Sequence, residues 1–231
     1  MNRLPALTLP ATLTPAGRAR AVAYLRDFFA PVAASSGYTG SRFERLGGGG
    51  DRPGVADEFT PEDLVAVALL SVRVPGRAAL EILEHRRSTL HKLLRQIPTD
   101  RDLVCVEPAD ITSSWAPWQL EAELRSITGL GPTTVSKLIA RKRPRLVPVY
   151  DTVVQNLLKP VGGFWASLND ALRAYDRALH NHLIDLREES GIGQDISPLR
   201  VFDVVAWRTG KDIAARRSAE TINLDPPGAD N

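Results

Sequence analysis

Apolar positions along this chain recur at spacings of three and four, the signature of amphipathic helices. Residues 21–29 predict one such helix. Thr60, Pro61, Glu62 and Asp63 form a helix start: a capping hydroxyl, a proline where a missing N–H has no partner to lose, and two acids against the positive helix end. The run 64–70 that follows is apolar nearly all round, as in a buried central helix. Further helices are expected over about 78–94 and 118–127, and residues 103–106 read as a short strand or a buried connector. Leu168, Leu172, Tyr175, Leu179, Leu183 and Leu186 predict one long helix with a core stripe. Ser197 and Pro198 open a last helix carrying Val201, Val204, Val205 and Trp207. No repeat and no sheet pattern occurs, so the expectation is an all-α protein.

Two segments lack this periodicity. Residues 35–57, with four glycines at 47–50, read as a long loop, either mobile or functional. The stretch 220–231 is polar and proline-containing and is expected to be a flexible tail. The implied organisation is an N-terminal helix and loop over 1–57, a helical core over 58–219, and the tail.

Residues 124–140 hold the most specific motif. Leu124 and Ile127 close one helix, Gly129 and Gly131 flank Leu130, and Pro132 opens a second helix continued by Val135, Leu138 and Ile139. The glycines can take the positive φ that a tight reversal needs. Without side chains there, a phosphate can approach the loop amides and the positive end of the second helix. Thr133 and Thr134 lie in its first turn, and Lys137, one turn in, adds a point charge. An ordinary helical hairpin fits the same residues. The charge pattern favours nucleic acid: no Asp or Glu lies between Arg125 and Tyr150, whereas Arg125, Lys137, Arg141, Lys142, Arg143 and Arg145 are all basic. A solvated face is the plainer account of such a run.

Asp151 stands at the start of a short helix running to about residue 158. Its plain role is an N-cap. A capping carboxylate at a cleft edge is also held rigid for chemistry.

Composition narrows the classes. The net charge is only +2, so nucleic-acid affinity has to come from local clustering. The one cysteine, Cys105, excludes an internal disulfide and is expected in the core. His180 and His182 point to different faces of a helix, so no metal site is expected, and no cofactor. No apolar run suits a signal peptide or a membrane span, and a cytoplasmic protein is expected, nucleoid-associated if it binds DNA.

In this order of parts the chain resembles the helix-hairpin-helix (HhH-GPD) DNA glycosylase superfamily, and within it an actinobacterial branch. Residues 62–73 are similar to the family's early buried helix, which ends in a polar segment near DNA and here carries Arg73. Residues 127–137 are similar to the hairpin, and 147–152 to the segment with the catalytic aspartate. The resemblance spans roughly 58–210. It implies two helical lobes with a cleft between them and duplex DNA as partner. It also implies Asp151 as the catalytic carboxylate, with DNA contacts from Gly129, Gly131, Thr133, Thr134, Lys137, Arg141, Lys142, Arg143 and Arg73.

The departures are informative. Strand-cutting members carry a lysine where this chain has Thr133, and Lys137 is expected on another face of the helix. The four cysteines of an iron–sulfur cluster are missing, and Val153 replaces a frequent histidine. The implied activity is therefore hydrolytic removal of an altered base without strand cleavage. The nucleotide is flipped out, and a carboxylate steadies the sugar cation. Tyr38, Trp115, Trp118 and Tyr150 are candidates for an aromatic pocket wall. The alternatives are a non-catalytic DNA-binding hairpin module and a helical protein-interaction scaffold. The scaffold is expected to bury Arg141, Arg143 and Arg145 in ion pairs.

Overall fold

A computed structural model describes residues 7–33 and 37–224, with side chains as far as 220. Among the described residues every regular element is helical. The α-helices are α1 (Arg18–Phe28), α2 (Pro61–Ala68), α3 (Gly76–Leu80), α4 (Arg87–Leu94), α5 (Ala116–Arg125), α6 (Pro132–Lys142), α7 (Thr152–Leu158), α8 (Phe164–Ser190) and α9 (Pro198–Leu224).

They pack as two groups over one continuous apolar core. In the first, α2 lies on α6, α6 on α5, and α5 on α4. In the second, α9 packs against α1, α7 and α8, and α1 also packs on α8. The chain passes between the groups twice, through 29–60 and through 143–151. The second passage ends at Asp151.

Local chemistry explains the starts. Asp63 Oδ2 accepts the amide of Thr60 at 2.9 Å, closing a capping box at the predicted start of α2. Ser197 Oγ accepts the amide of Arg200 at 3.1 Å ahead of α9.

Several expectations are corrected. The α2 segment is buried on one side only, since Val65 is 56% exposed. The helix expected over 78–94 is broken into α3, a wide helical turn (Glu81–His85) and α4. Leu103–Cys105 is a 3-10 turn and not a strand, and Cys105 is exposed. Helix α8 is interrupted where Tyr175, Asp176 and Arg177 take φ of 49°, 53° and 64°. That left-handed turn resets the helical phase, so Tyr175 is 92% exposed while Leu168, Leu172, Leu183 and Leu186 are buried. The stretch 220–224 continues α9 rather than fraying after residue 219, and 225–231 lies outside the described residues. So does Ser35, the first residue of the predicted loop. The loop itself contains 3-10 turns at Thr39–Arg42 and Leu46–Gly48.

Candidate active site between the helix groups

A cavity of about 390 Å³ opens between the two helix groups. Residues from six places line it: Phe28 of α1, Tyr38, the turn Leu70 to Val72 after α2, Thr133 and Lys137 of α6, Asp151 before α7, and a stripe of α9. The α9 stripe is Arg200, Asp203, Val204, Trp207 and Lys211, the three- and four-residue spacing of one helix face.

One wall is aromatic. Phe28 and Tyr38 stack at 5.1 Å with their planes 18° apart, and Trp207 stands edge-on to both, at 6.0 and 5.9 Å. Of the four predicted wall residues, Tyr38 alone lines this cavity. Trp118 stacks on Trp165 at 4.1 Å, Trp115 meets the same ring edge-on at 5.6 Å, and Tyr150 stacks on Phe164 at 4.0 Å. These rings are packing, not platforms.

The other wall is charged. Asp151 Oδ1 accepts the amides of Val153 at 3.0 Å and Val154 at 3.1 Å. The carboxylate caps α7 and lines the cavity at once, so the two sequence readings of this residue coincide. Lys137 is only 5% exposed and donates from Nζ to the Leu70 carbonyl at 2.8 Å. Burial pulls its pKa down, opposed by the nearby charges of Asp151 and Asp203. Lys137 is therefore turned into the cavity and away from any phosphate at the hairpin. It also shares the face of Thr133, four residues earlier, against the expectation that it lay on another one.

Sequence reasoning missed the α9 contribution. Arg200 donates from Nη1 to both oxygens of Asp203 at 3.0 and 3.3 Å, and from Nη2 to the Gly40 carbonyl at 2.9 Å. Its Nε lies 2.7 Å from Glu44 Oε1. Burial pushes the Asp203 carboxyl up to about 8. Arg200 works against this, while the charges of Glu44 and Asp151 reinforce it. Glu44 is raised by burial too, and its Oε2 is buried with no hydrogen-bond partner. One guanidinium serves two buried carboxyls. The available signal was Arg200 and Asp203 standing three apart inside an otherwise apolar helix start.

Ser71 also lines the cavity, with φ at 62°. A serine held in the left-handed region stores a little strain next to the site.

The hairpin forms as predicted, with one correction. Gly129 takes φ of 93°, but Gly131 caps α6 in extended backbone at φ −84°, ψ 169°. Gly131 has open space where a Cβ would stand, whereas Gly129 lies against Pro75. Both glycines are exposed, Thr133 is half-buried and Thr134 is buried. Pro75 ends the 69–75 connection between α2 and α3, and Arg73 within it and Arg77 in the first turn of α3 are exposed.

The basic stretch is where expectation and structure part most. The side chains of Arg141, Lys142 and Arg143 are 0% exposed. Arg141 donates to Asp63 Oδ1 at 3.1 Å and to the carbonyls of Phe43, Glu44 and Leu46. Lys142 Nζ donates to Asp63 Oδ2 at 2.9 Å. Arg143 donates to Asp57 and to the carbonyls of Ala56, Leu94 and Ile97. A buried cation must find such partners, and these come from the predicted loop, from Asp63 of α2 and from the end of α4 with Ile97 just beyond it. None of the three is placed to meet a phosphate, and Arg141 and Arg143 pin the segment 43–57. Arg145 is 47% exposed and paired with Asp102 at 2.7 Å.

Among the described residues no group of three His, Cys, Asp or Glu side chains is arranged to hold a metal. Nor is any helix among them long and apolar enough to cross a membrane.

The chain belongs to a family of unknown function (DUF6308), whose model matches residues 21–210. That match begins inside α1 and ends inside α9, so it takes in both helix groups. Comparison with curated proteins and with solved structures gives no match.

Proposed function

We propose that this protein hydrolyses the N-glycosidic bond of an altered base in duplex DNA, within a two-lobed arrangement of the helix-hairpin-helix glycosylase kind. The observation that carries the reading is the position of Asp151. It is fixed by two backbone amides, faces an aromatic-walled cavity, and follows an exposed glycine hairpin by one helix. A cavity of about 390 Å³ lies in the range of small-ligand sites and suits a flipped base. The second Asp151 oxygen is left to steady the positive charge that develops on the sugar and to orient water. Duplex contact falls to the hairpin amides around Gly129 and Gly131, with the exposed Arg73 and Arg77 on either side of the Pro75 that meets Gly129, and not to Arg141, Lys142 and Arg143.

Burial of Arg141 and Arg143 favours a second reading, a helical protein-interaction scaffold with no DNA affinity. Duplexes carrying a panel of damaged and mismatched bases separate the two. Release of free base, read by chromatography, supports the glycosylase. Absence of both release and binding at moderate salt supports the scaffold.

A further inference from the structure

Two carboxyl groups face one cavity, in opposite surroundings. Asp151 is partly exposed and accepts two amide hydrogens. Asp203 is 3% exposed and relies on Arg200, which Glu44 shares. We propose that Asp203 is a second catalytic residue, the acid that gives its proton to the departing base while Asp151 faces the sugar. This rests on the glycosidase reading above.

The placement suits the role. Asp203 lies one helical turn before Trp207 and two before Lys211, on the α9 face that lines the cavity. A base that enters this cavity therefore shares it with the Asp203 carboxyl and the Trp207 ring. The groups around Asp203 are Arg200 and Lys211 on its own helix, Lys137 from α6, Asp151 ahead of α7, and Glu44 from the pinned segment. A carboxyl so enclosed keeps a proton near neutrality.

The step balances without a co-reactant. The bond from sugar C1′ to the base nitrogen breaks, and its electron pair leaves with the base. The Asp203 proton passes to the base, which departs neutral. Water oxygen bonds C1′, its proton passes to Asp151 and on to solvent, and Asp203 takes a proton back from solvent. A base that is neutral in the duplex leaves as an anion unless it receives that proton; a base already cationic through alkylation leaves neutral without it.

The test uses single-turnover release from matched duplexes carrying hypoxanthine, which is neutral, or 7-methylguanine, which is cationic. Wild type, Asp203→Asn and Asp151→Asn are compared, with circular dichroism to establish folding. Asp203→Asn is expected to slow hypoxanthine release about 100-fold, the low end for lost acid catalysis. Its effect on 7-methylguanine should be at least about tenfold smaller, and Asp151→Asn should suppress both. Wild-type hypoxanthine release should decline as pH rises past about 8, with a flatter profile for 7-methylguanine. Equal slowing of both bases by Asp203→Asn, slowing of neither, or wild-type release of the cationic base alone overturns Asp203 as the acid and leaves the glycosylase reading standing. Release of neither base by wild type overturns Asp203 as the acid, and with none from the wider lesion panel it overturns the glycosylase reading as well.

Discussion

Lys142 Nζ lies 2.9 Å from Asp63 Oδ2, and both side chains are fully buried. Arg141 occupies the other oxygen of the same carboxylate at 3.1 Å. Asp63 thus balances two cations inside the first helix group while also capping α2. Within the run that reads as a phosphate-binding strip in sequence, Arg141, Lys142 and Arg143 form an internal clamp. Removing Asp63 leaves two buried cations without their counter-charge, an effect of about 3–5 kcal/mol. Asp63→Ala is expected to lose that much stability in urea unfolding; a loss below about 1 kcal/mol contradicts the clamp.

Arg141 ties α6 to the carbonyls of Glu44 and Leu46 across about a hundred residues of sequence. Arg141→Lys cannot reproduce the guanidinium fork. Hydrogen exchange of residues 44–49 is expected to speed up at least about tenfold in this variant, with the amides of α5 little changed. Uniform acceleration over the whole chain would mean general destabilisation instead.

The two hairpin glycines should separate cleanly. Gly129→Ala forces a side chain into φ of 93° against Pro75 and is expected to cost about 1–2 kcal/mol. Gly131→Ala meets neither strain nor neighbours, so its stability should match wild type. Its methyl group nevertheless stands at the mouth of the hairpin. If phosphate contacts the hairpin amides, Gly131→Ala weakens duplex binding about tenfold, measured by fluorescence anisotropy at low salt. Undiminished binding removes the hairpin from the interface.

Helix existence was legible in this sequence wherever periodicity, caps and proline agreed, as at Thr60, Pro132 and Ser197. What stayed hidden were interactions distant in sequence. Charge pattern cannot tell a cation on the surface from one whose partners, such as Asp57 and the carbonyls of 43–46, arrive from another segment. The Tyr175 turn was invisible because its apolar spacing continued through a change of helical phase. Asp151 was legible because a cap leaves a local signature. Asp203 was not, because its meaning comes from the cavity that α9 shares with α6 and the start of α7.

Burial raises the Asp203 carboxyl from its ordinary 3.8 to about 8. Between those values the native state keeps a proton that the unfolded chain has released, so this group makes stability fall as pH rises through that window. Glu44, raised in the same direction, adds to the slope. Asp203→Asn removes one of the two titrations. Its thermal midpoint is expected to depend less on pH between about 4 and 8 than that of wild type, with the gap narrowing towards pH 4. Parallel curves would contradict a proton held at Asp203.

Asp151 is the most direct test of the account. Asparagine caps a helix as well as aspartate, so Asp151→Asn should leave α7 intact, with stability changed by only a few tenths of a kcal/mol. The decisive measurement is base release from lesion-bearing duplexes by wild type and Asp151→Asn, with binding of the same duplexes followed in parallel. Release by wild type that drops at least about 100-fold in the variant, with binding retained, is the predicted result. Release that survives unchanged in a folded Asp151→Asn, or that wild type never shows on any duplex, contradicts the claim that this carboxylate breaks a glycosidic bond.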